Sequence, residues 1–297
     1  MAETAPEGHG GRTARHLLSS VTRRFAAAGI PTPEVDAELL LRHVTGWSRT
    51  RMLFGGDTPL PPDALRALEE VVRRREQREP LQLIVGSVGF RYLDLRVREG
   101  VFIPRPETEV LAGEAIDRVP DGGIVVEPCT GTGAIACSVA FESAASAVVA
   151  TDVSDEAVTL AAANARATGA GVTVLQGDLL DPVPGRMRGA VDVLVSNPPY
   201  LTPDEMAAGE PEVTRWDPRG ALIAGPSGHE VTDRLIAQSA EWLRPGGWLL
   251  LEVDSARADQ TALRATAAGL VAARVLPDLT GADRIVVAQA PAGPHGR

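Results

Sequence analysis

The chain has 297 residues, of which 44% are apolar and 23% charged, enough for one large globular domain and a smaller one. It carries a net charge of −10, and every cation is arginine, since lysine is absent. That balance excludes the global attraction to phosphate behind non-specific nucleic-acid binding, and no run nears the ~18 consecutive apolar residues of a membrane span.

In chain order, residues 1–11 have no apolar signal segment and are expected to form a disordered leader. Residues 12–80 carry a helical period. "HLLSSVTRRFAAAGI" repeats apolar residues at three and four and stops at Gly29. "PTPEVDAELLLRHVTGW" opens on a Thr32 cap with Pro33 at the first helical position. "PPDALRALEEVVRRREQRE" is a third amphipathic helix, and its basic run, Val71 to Glu79, is expected to be a solvated face. These helices predict a small bundle.

After Pro80 the period changes. Residues 81–104 are expected to form a hinge and a β-hairpin, because "VGFRYLDLRVR" alternates. From 105 to 290, seven strand-like runs ("GIVVE", "AVVATD", "VTVLQ", "VDVLVS", "WLLLEV", "AARVLP", "RIVVAQ") are separated mostly by helical segments. Continuous apolar strands between helices predict an α/β fold with a parallel sheet covered on both faces. Only the turn-rich "DLTGAD" joins the last two runs, so these should pair antiparallel as a C-terminal hairpin. Residues 291–297 are expected to be a disordered tail. Cys129 and Cys137 make neither a disulfide framework nor a zinc site, so a cytoplasmic, metal-free chain is expected.

Four loops at strand ends carry the chemistry. In "VVEPCTGTGAIA", Gly131, Gly133 and Ala136 fit G-x-G-x-x-A between a strand and a helix, and Asp152 ends the next strand. Glycines let backbone approach a ligand, and the acid accepts from ribose hydroxyls. "LQGDLL" offers Asp178 to an adenine amino group and Leu179 to the ring face. "SNPPY" ends a fourth strand with a rigid, carbonyl-rich corner and an aromatic ring.

With these motifs in place, the chain resembles a class I S-adenosylmethionine-dependent methyltransferase with a seven-stranded Rossmann-like sheet. More specifically it resembles the HemK/PrmC family, the glutamine methyltransferases of peptide chain release factors. The resemblance runs from Arg12 to about Ala290, on "AAGIPTPEVDAELLLRHVTG", "EPLQLIVGSVGF", "VFIPRPETEVL", "DVLVSNPPYL", "DPRGALIAGPSG" and "LRPGGWLLLE". It implies S-adenosylmethionine as cofactor, S-adenosylhomocysteine as product, and class I release factors as the protein substrate of a monomer, gripped by the helical domain. Cys129, Thr130, Gly131, Thr132 and Gly133 would wrap the methionine end, with Glu127 toward its amino group. Asp152 would take the ribose, Asp178 and Leu179 the adenine, and Asn197 would border both ligands. The chain departs from the family pattern at Glu127-Pro128, where Asp-Leu is usual, and at Cys129, Leu83 and Asp254.

Asn197, Pro198, Pro199 and Tyr200 would then hold the target glutamine. An amide nitrogen is a poor nucleophile because its lone pair is delocalised. The Asn197 oxygen and the Pro198 carbonyl can each accept one of its N–H groups, drawing the nitrogen toward a pyramid while Tyr200 stacks on the amide plane. "IPRPETE" (Ile103 to Glu109), with Arg105, is expected to wall the pocket, and "TRWDPRGAL" is either a turn or the cleft edge. Asn-Pro-Pro-Tyr also occurs in enzymes that methylate DNA adenine or RNA guanine. Those activities, and a specialised homologue acting on another protein glutamine, are the alternative readings.

Overall fold

A computed structural model describes residues 13–293, which divide into two compact units at Gly86/Ser87. The leader expected over 1–11 lies outside the described residues, as do 294–297 of the expected tail. Among the described residues no helix is long and apolar enough to cross a membrane.

The first unit is helical: α1 (Ala14–Ala27), α2 (Pro33–Thr45), α3 (Arg49–Phe54), α4 (Pro62–Glu76) and α5 (Leu81–Val85). Its core gathers Val21, Phe25, Leu40, Leu41, Leu68, Val72 and Ile84 from four of them. Two expectations change here. The Thr32 hydroxyl makes no capping bond and instead donates to Asp36 Oδ1 at 2.8 Å. Nor is the arginine run of α4 wholly a solvated face. Arg75 is buried, its Nε 2.7 Å from Asp36 Oδ2 on α2, while Arg74 bonds Glu79. Leu68, Val72 and Arg75 recur at four and three residues, so the apolar stripe itself carries Arg75 inward.

The second unit opens with the hairpin β1 (Ser87–Phe90) and β2 (Leu93–Arg96), followed by α6 (Thr108–Ile116). The expected hinge residues 81–104 are thus shared between the units: α5 packs in the first core, the hairpin in the second. Then come β3 (Ile124–Pro128), α7 (Ala134–Glu142), β4 (Ala147–Asp152), α8 (Asp155–Thr168), β5 (Val172–Gln176) and β6 (Val191–Ser196). Three short helices, α9 (Pro203–Ala207), α10 (Pro211–Trp216) and α11 (Arg219–Leu222), precede α12 (Glu230–Trp242). The chain finishes with β7 (Leu243–Glu252), α13 (Ala258–Ala267), β8 (Val271–Pro277) and β9 (Asp283–Gln289).

The seven-stranded sheet has the order β5-β4-β3-β6-β7-β9-β8. β3 to β7 run parallel, while β9 pairs antiparallel with both β7 and β8, giving the expected terminal hairpin. Strand side chains alternate between faces. Val126, Leu194, Leu249, Leu251 and Val286 meet α12 and α13 on one side. Val125, Val193, Val195, Leu250 and Ile285 meet α6 and α7 on the other. The strand order reverses between β3 and β6, and open α/β sheets bind ligands outside the strand carboxyl ends at such a reversal.

Candidate active site

The loops that follow β3 and β6 flank that reversal. One is the glycine loop, the other Asn197-Pro198-Pro199-Tyr200. Buried side-chain bonds tie the rim: Ser196 Oγ donates to the Pro128 carbonyl at 2.7 Å, and Thr151 Oγ1 to the Leu179 carbonyl at 2.6 Å.

Left-handed backbone at Cys129, Gly131 and Gly133 turns β3 sharply into α7. At Gly133 a Cβ would come within 3.1 Å of Ala161 Cβ on α8, so glycine lets the two helices close up. Two carboxylates hold this loop. Glu127 Oε2 accepts from Thr130 Oγ1 at 2.6 Å and from the Ala136 N–H at 2.9 Å. Asp152 Oδ2 accepts from the Gly131 N–H at 2.9 Å and Oδ1 from Ser154 at 3.0 Å. Burial pushes the Glu127 carboxyl up to about 8, against the pull of those two donors, with Asp152 adding to the rise. Burial likewise pushes the Cys129 thiol up to about 12 and so suppresses the reactive thiolate.

The cleft above has a volume of about 260 Å³. Of the residues singled out from sequence, Glu127, Cys129, Thr130, Gly131, Thr132, Asp152, Asp178, Leu179, Asn197 and Pro199 line it. Gly133, Pro198 and Tyr200 do not. Gly133 caps α7. Pro198 is buried, and burial raises the Tyr200 hydroxyl further above its ordinary range, Glu252 adding to it. Asp178 is engaged by Arg234 of α12, with 2.5 Å from Nη2 to Oδ2, and Arg234 and Val231 border the cleft beside it.

The wall contains residues that sequence reasoning placed only as part of a stretch, or not at all. Phe102, Pro104 and Thr108 line it from the "IPRPETE" side, and Pro218, Gly220, Ala221 and Ile223 from the "TRWDPRGAL" side. The second stretch is therefore the cleft edge. Leu201 holds it to the Asn-Pro-Pro-Tyr corner, donating to Leu222 and accepting from Ala224. Arg105 pairs with Asp217, whose burial lifts its carboxyl to about 6 despite that cation. Asn197 Nδ2 donates to Thr108 Oγ1 at 3.2 Å. The corner's exit is fixed by a capping box in which Thr202 and Glu205 each bond the other's backbone N–H.

Against known proteins, residues 16–86 match the model of the PrmC N-terminal domain and residues 108–209 that of the methyltransferase small domain. The release factor glutamine methyltransferase of Mycolicibacterium smegmatis is 42% identical over 279 residues, spanning 92% of this chain and 96% of that protein. That of Deinococcus radiodurans is 41% identical over 281 residues, spanning 94% and 99%. Among solved structures, a methyltransferase from Pyrococcus furiosus superposes with a TM-score of 0.51 at 18% identity, covering 67% of this chain and 89% of that one. The T. thermophilus 16S rRNA methyltransferase RsmC, in complex with AdoMet and guanosine, gives 0.50 at 19%, covering 69% and 49%. The structural likenesses carry the class I methyltransferase fold. With relatives this similar along almost its whole length, the chain belongs to the release factor glutamine methyltransferase family and is an enzyme of the methyltransferase class.

Proposed function

We propose that this chain transfers the methyl group of S-adenosylmethionine to the side-chain amide nitrogen of the glutamine in the Gly-Gly-Gln motif of class I release factors. The observation that carries the reading is the pairing, across the sheet reversal, of a carboxylate-pinned glycine loop with an Asn-Pro-Pro-Tyr corner in one cleft.

The donor set fits the cofactor. Cys129 to Gly133 supply closely approachable backbone, Asp152 keeps lone pairs for ribose hydroxyls beyond the two N–H groups it accepts, and Asp178 and Leu179 bracket the space for adenine. Glu127, with one oxygen spent on the loop, would turn the other toward the methionine end. When bound, the cofactor supplies an electrophilic methyl on a sulfonium. The protein supplies aim. Asn197 Oδ1 and the Pro198 carbonyl accept the two N–H groups of the substrate amide, and Tyr200 holds its plane as it enters. Proline fixes the corner and brings no competing N–H. Positioning of this kind contributes roughly 7–11 kcal/mol where the bound geometry is near attack, and the charge that develops on nitrogen meets oriented oxygens. Because Pro198 and Tyr200 lie off the cleft lining, their roles require the glutamine to enter along the corner itself. The same reading makes the chain a cytoplasmic monomer whose first unit grips the release factor.

The test is incubation with methyl-labelled S-adenosylmethionine and purified release factor, intact or with its Gly-Gly-Gln glutamine replaced. Label on that glutamine alone is the expected result. Label in nucleic acid, or in the replaced factor equally, overturns the reading.

A further inference from the structure

Glu252 is an acid where packing asks for none. It closes β7 after Leu249, Leu250 and Leu251, and it is 3% exposed. Its Oε2 is fully buried without a hydrogen-bond partner among the described residues. Burying a carboxyl so incompletely satisfied is costly, and an apolar side chain would fill the site more cheaply.

Sheet register explains what it faces. Ser196 lies opposite Leu251 in the parallel β6/β7 pair, so the next step sets Asn197 beside Glu252. Alternation puts Glu252 on the face of Leu250 and of its antiparallel partner Ile285, the face covered by α6. The first residue of α6 is Thr108, itself 3% exposed, whose hydroxyl accepts from Asn197 Nδ2. The two ends of an Asn amide have nearly the same shape, and only their partners decide which end faces a ligand. A threonine hydroxyl that accepts from Asn197 still has its own proton to give.

We propose that Glu252, acting through Thr108, is a positioning residue that keeps Asn197 Nδ2 on the protein side, so that Oδ1 is the end offered to the substrate amide. This rests on the reading that Asn197 accepts a substrate N–H. The first link, from Asn197 Nδ2 to Thr108 Oγ1, is present in the structure; the second, proposed link runs from the Thr108 hydroxyl to the ionised Glu252 carboxylate. Burial lifts that carboxyl to about 7, opposed by hydrogen bonding from Thr108, by Arg284 of β9 and by Asn197, and reinforced by Glu107 at the start of α6. Tyr200 faces it from the corner. Below its midpoint Glu252 has a proton of its own to donate, which reverses the chain and releases the Asn197 amide to turn over. Transfer therefore rises with pH as Glu252 ionises.

The test has two readouts on the intact chain. In ¹⁵N spectra the Asn197 side-chain amide, identified by its loss in Asn197→Ala, should shift with a single midpoint near neutrality. The shift should vanish in Glu252→Gln and Thr108→Val and return in Thr108→Ser. In transfer assays Glu252→Met should lower kcat about 10-fold to 100-fold, the scale of a small misplacement at a reacting centre. Its cofactor Kd should be unchanged and its thermal midpoint equal or higher, a split that a purely structural acid would not give. Glu252→Gln, which retains an acceptor, should recover most of the rate without the pH dependence. Glu252→Met with wild-type kcat and pH profile, or an amide signal that titrates unaltered in Glu252→Gln, overturns the assignment. A wild-type chain that methylates no glutamine while its amide signal still titrates through Glu252 sinks the reaction reading and supports the positioning.

Discussion

In the proposed reaction Asn197 bears the heaviest demand of any single side chain. Its oxygen is asked to meet charge that exists only on the way to product, so its loss should fall on rate and spare binding. Asn197→Ala should reduce single-turnover methyl transfer by about 10²-fold to 10³-fold, the range for removing one group aimed at developing charge. Cofactor affinity by calorimetry should change by less than about threefold, because the glycine loop and Asp152 are held by bonds that do not involve Asn197. A rate within a factor of two or so of wild type would remove Asn197 from the chemistry. The corner was legible in the chain because it breaks a local rule: two prolines and an Asn follow "VDVLVS", where a strand has no use for them. Gly131, Asp152 and Asp178 were legible for a related reason, sitting at strand ends where an open sheet presents its rim. Thr108 and Glu252 broke no rule that reading along the chain could detect. A threonine beginning a helix is ordinary, and an acid closing an apolar run reads as the strand's solvent end. The signal lay in parity: Glu252 shares its face with Leu250, and only the position of α6 turns that parity into burial beside Asn197.

At the scale of elements, the arginine run of α4 shows how helical period and composition can disagree. Six charges in "VVRRREQRE" suggest solvent, yet the spacing of Leu68, Val72 and Arg75 places the last on the buried stripe. Asp36 does the same on α2 among Ala37, Leu40 and Leu41. The two meet as an ion pair whose side chains are 6% and 5% exposed. Removing one member of such a pair is far more damaging than its net contribution, because the other charge stays buried. Arg75→Met should thus destabilise the first unit by about 3–5 kcal/mol, visible as an earlier transition in a thermal scan. Replacing Asp36 as well, as Asp36→Leu with Arg75→Met, should recover most of the loss. If the double variant is no better than the single, the pair is not what orders these helices. The strands needed no such correction, since unbroken β-branched runs have one economical use, a sheet covered on both faces. The short helices α3 and α5, and α9 to α11, escaped notice because each holds too few residues to show a period.

Across the whole molecule, the residues proposed to hold the cofactor belong to one stretch of chain. Every residue lining the cleft falls between Gly100 and Arg234, inside the second unit, which has its own two core layers either side of the sheet. The first unit has a separate core, and none of its described residues is among those lining the cleft. Deleting residues 1–86 should therefore leave a folded chain that binds S-adenosylmethionine within about threefold of wild type, since none of the cofactor's proposed contacts is removed. If the first unit grips the release factor, kcat/KM on the intact factor should fall by at least ~10²-fold, equivalent to about 2.7 kcal/mol of lost binding. A short Gly-Gly-Gln peptide cannot reach a second contact surface, so full-length and shortened chains should methylate it at similar rates. Equal kcat/KM on the intact factor would remove the first unit from recognition. A shortened chain that fails on the peptide while still binding cofactor would instead make the helical unit part of the chemistry. With a net charge of −10, the chain gains nothing by general attraction to an acidic partner or to RNA. A grip by the first unit would therefore have to come from local complementarity, and raising salt should change kcat/KM far less than deleting the unit does.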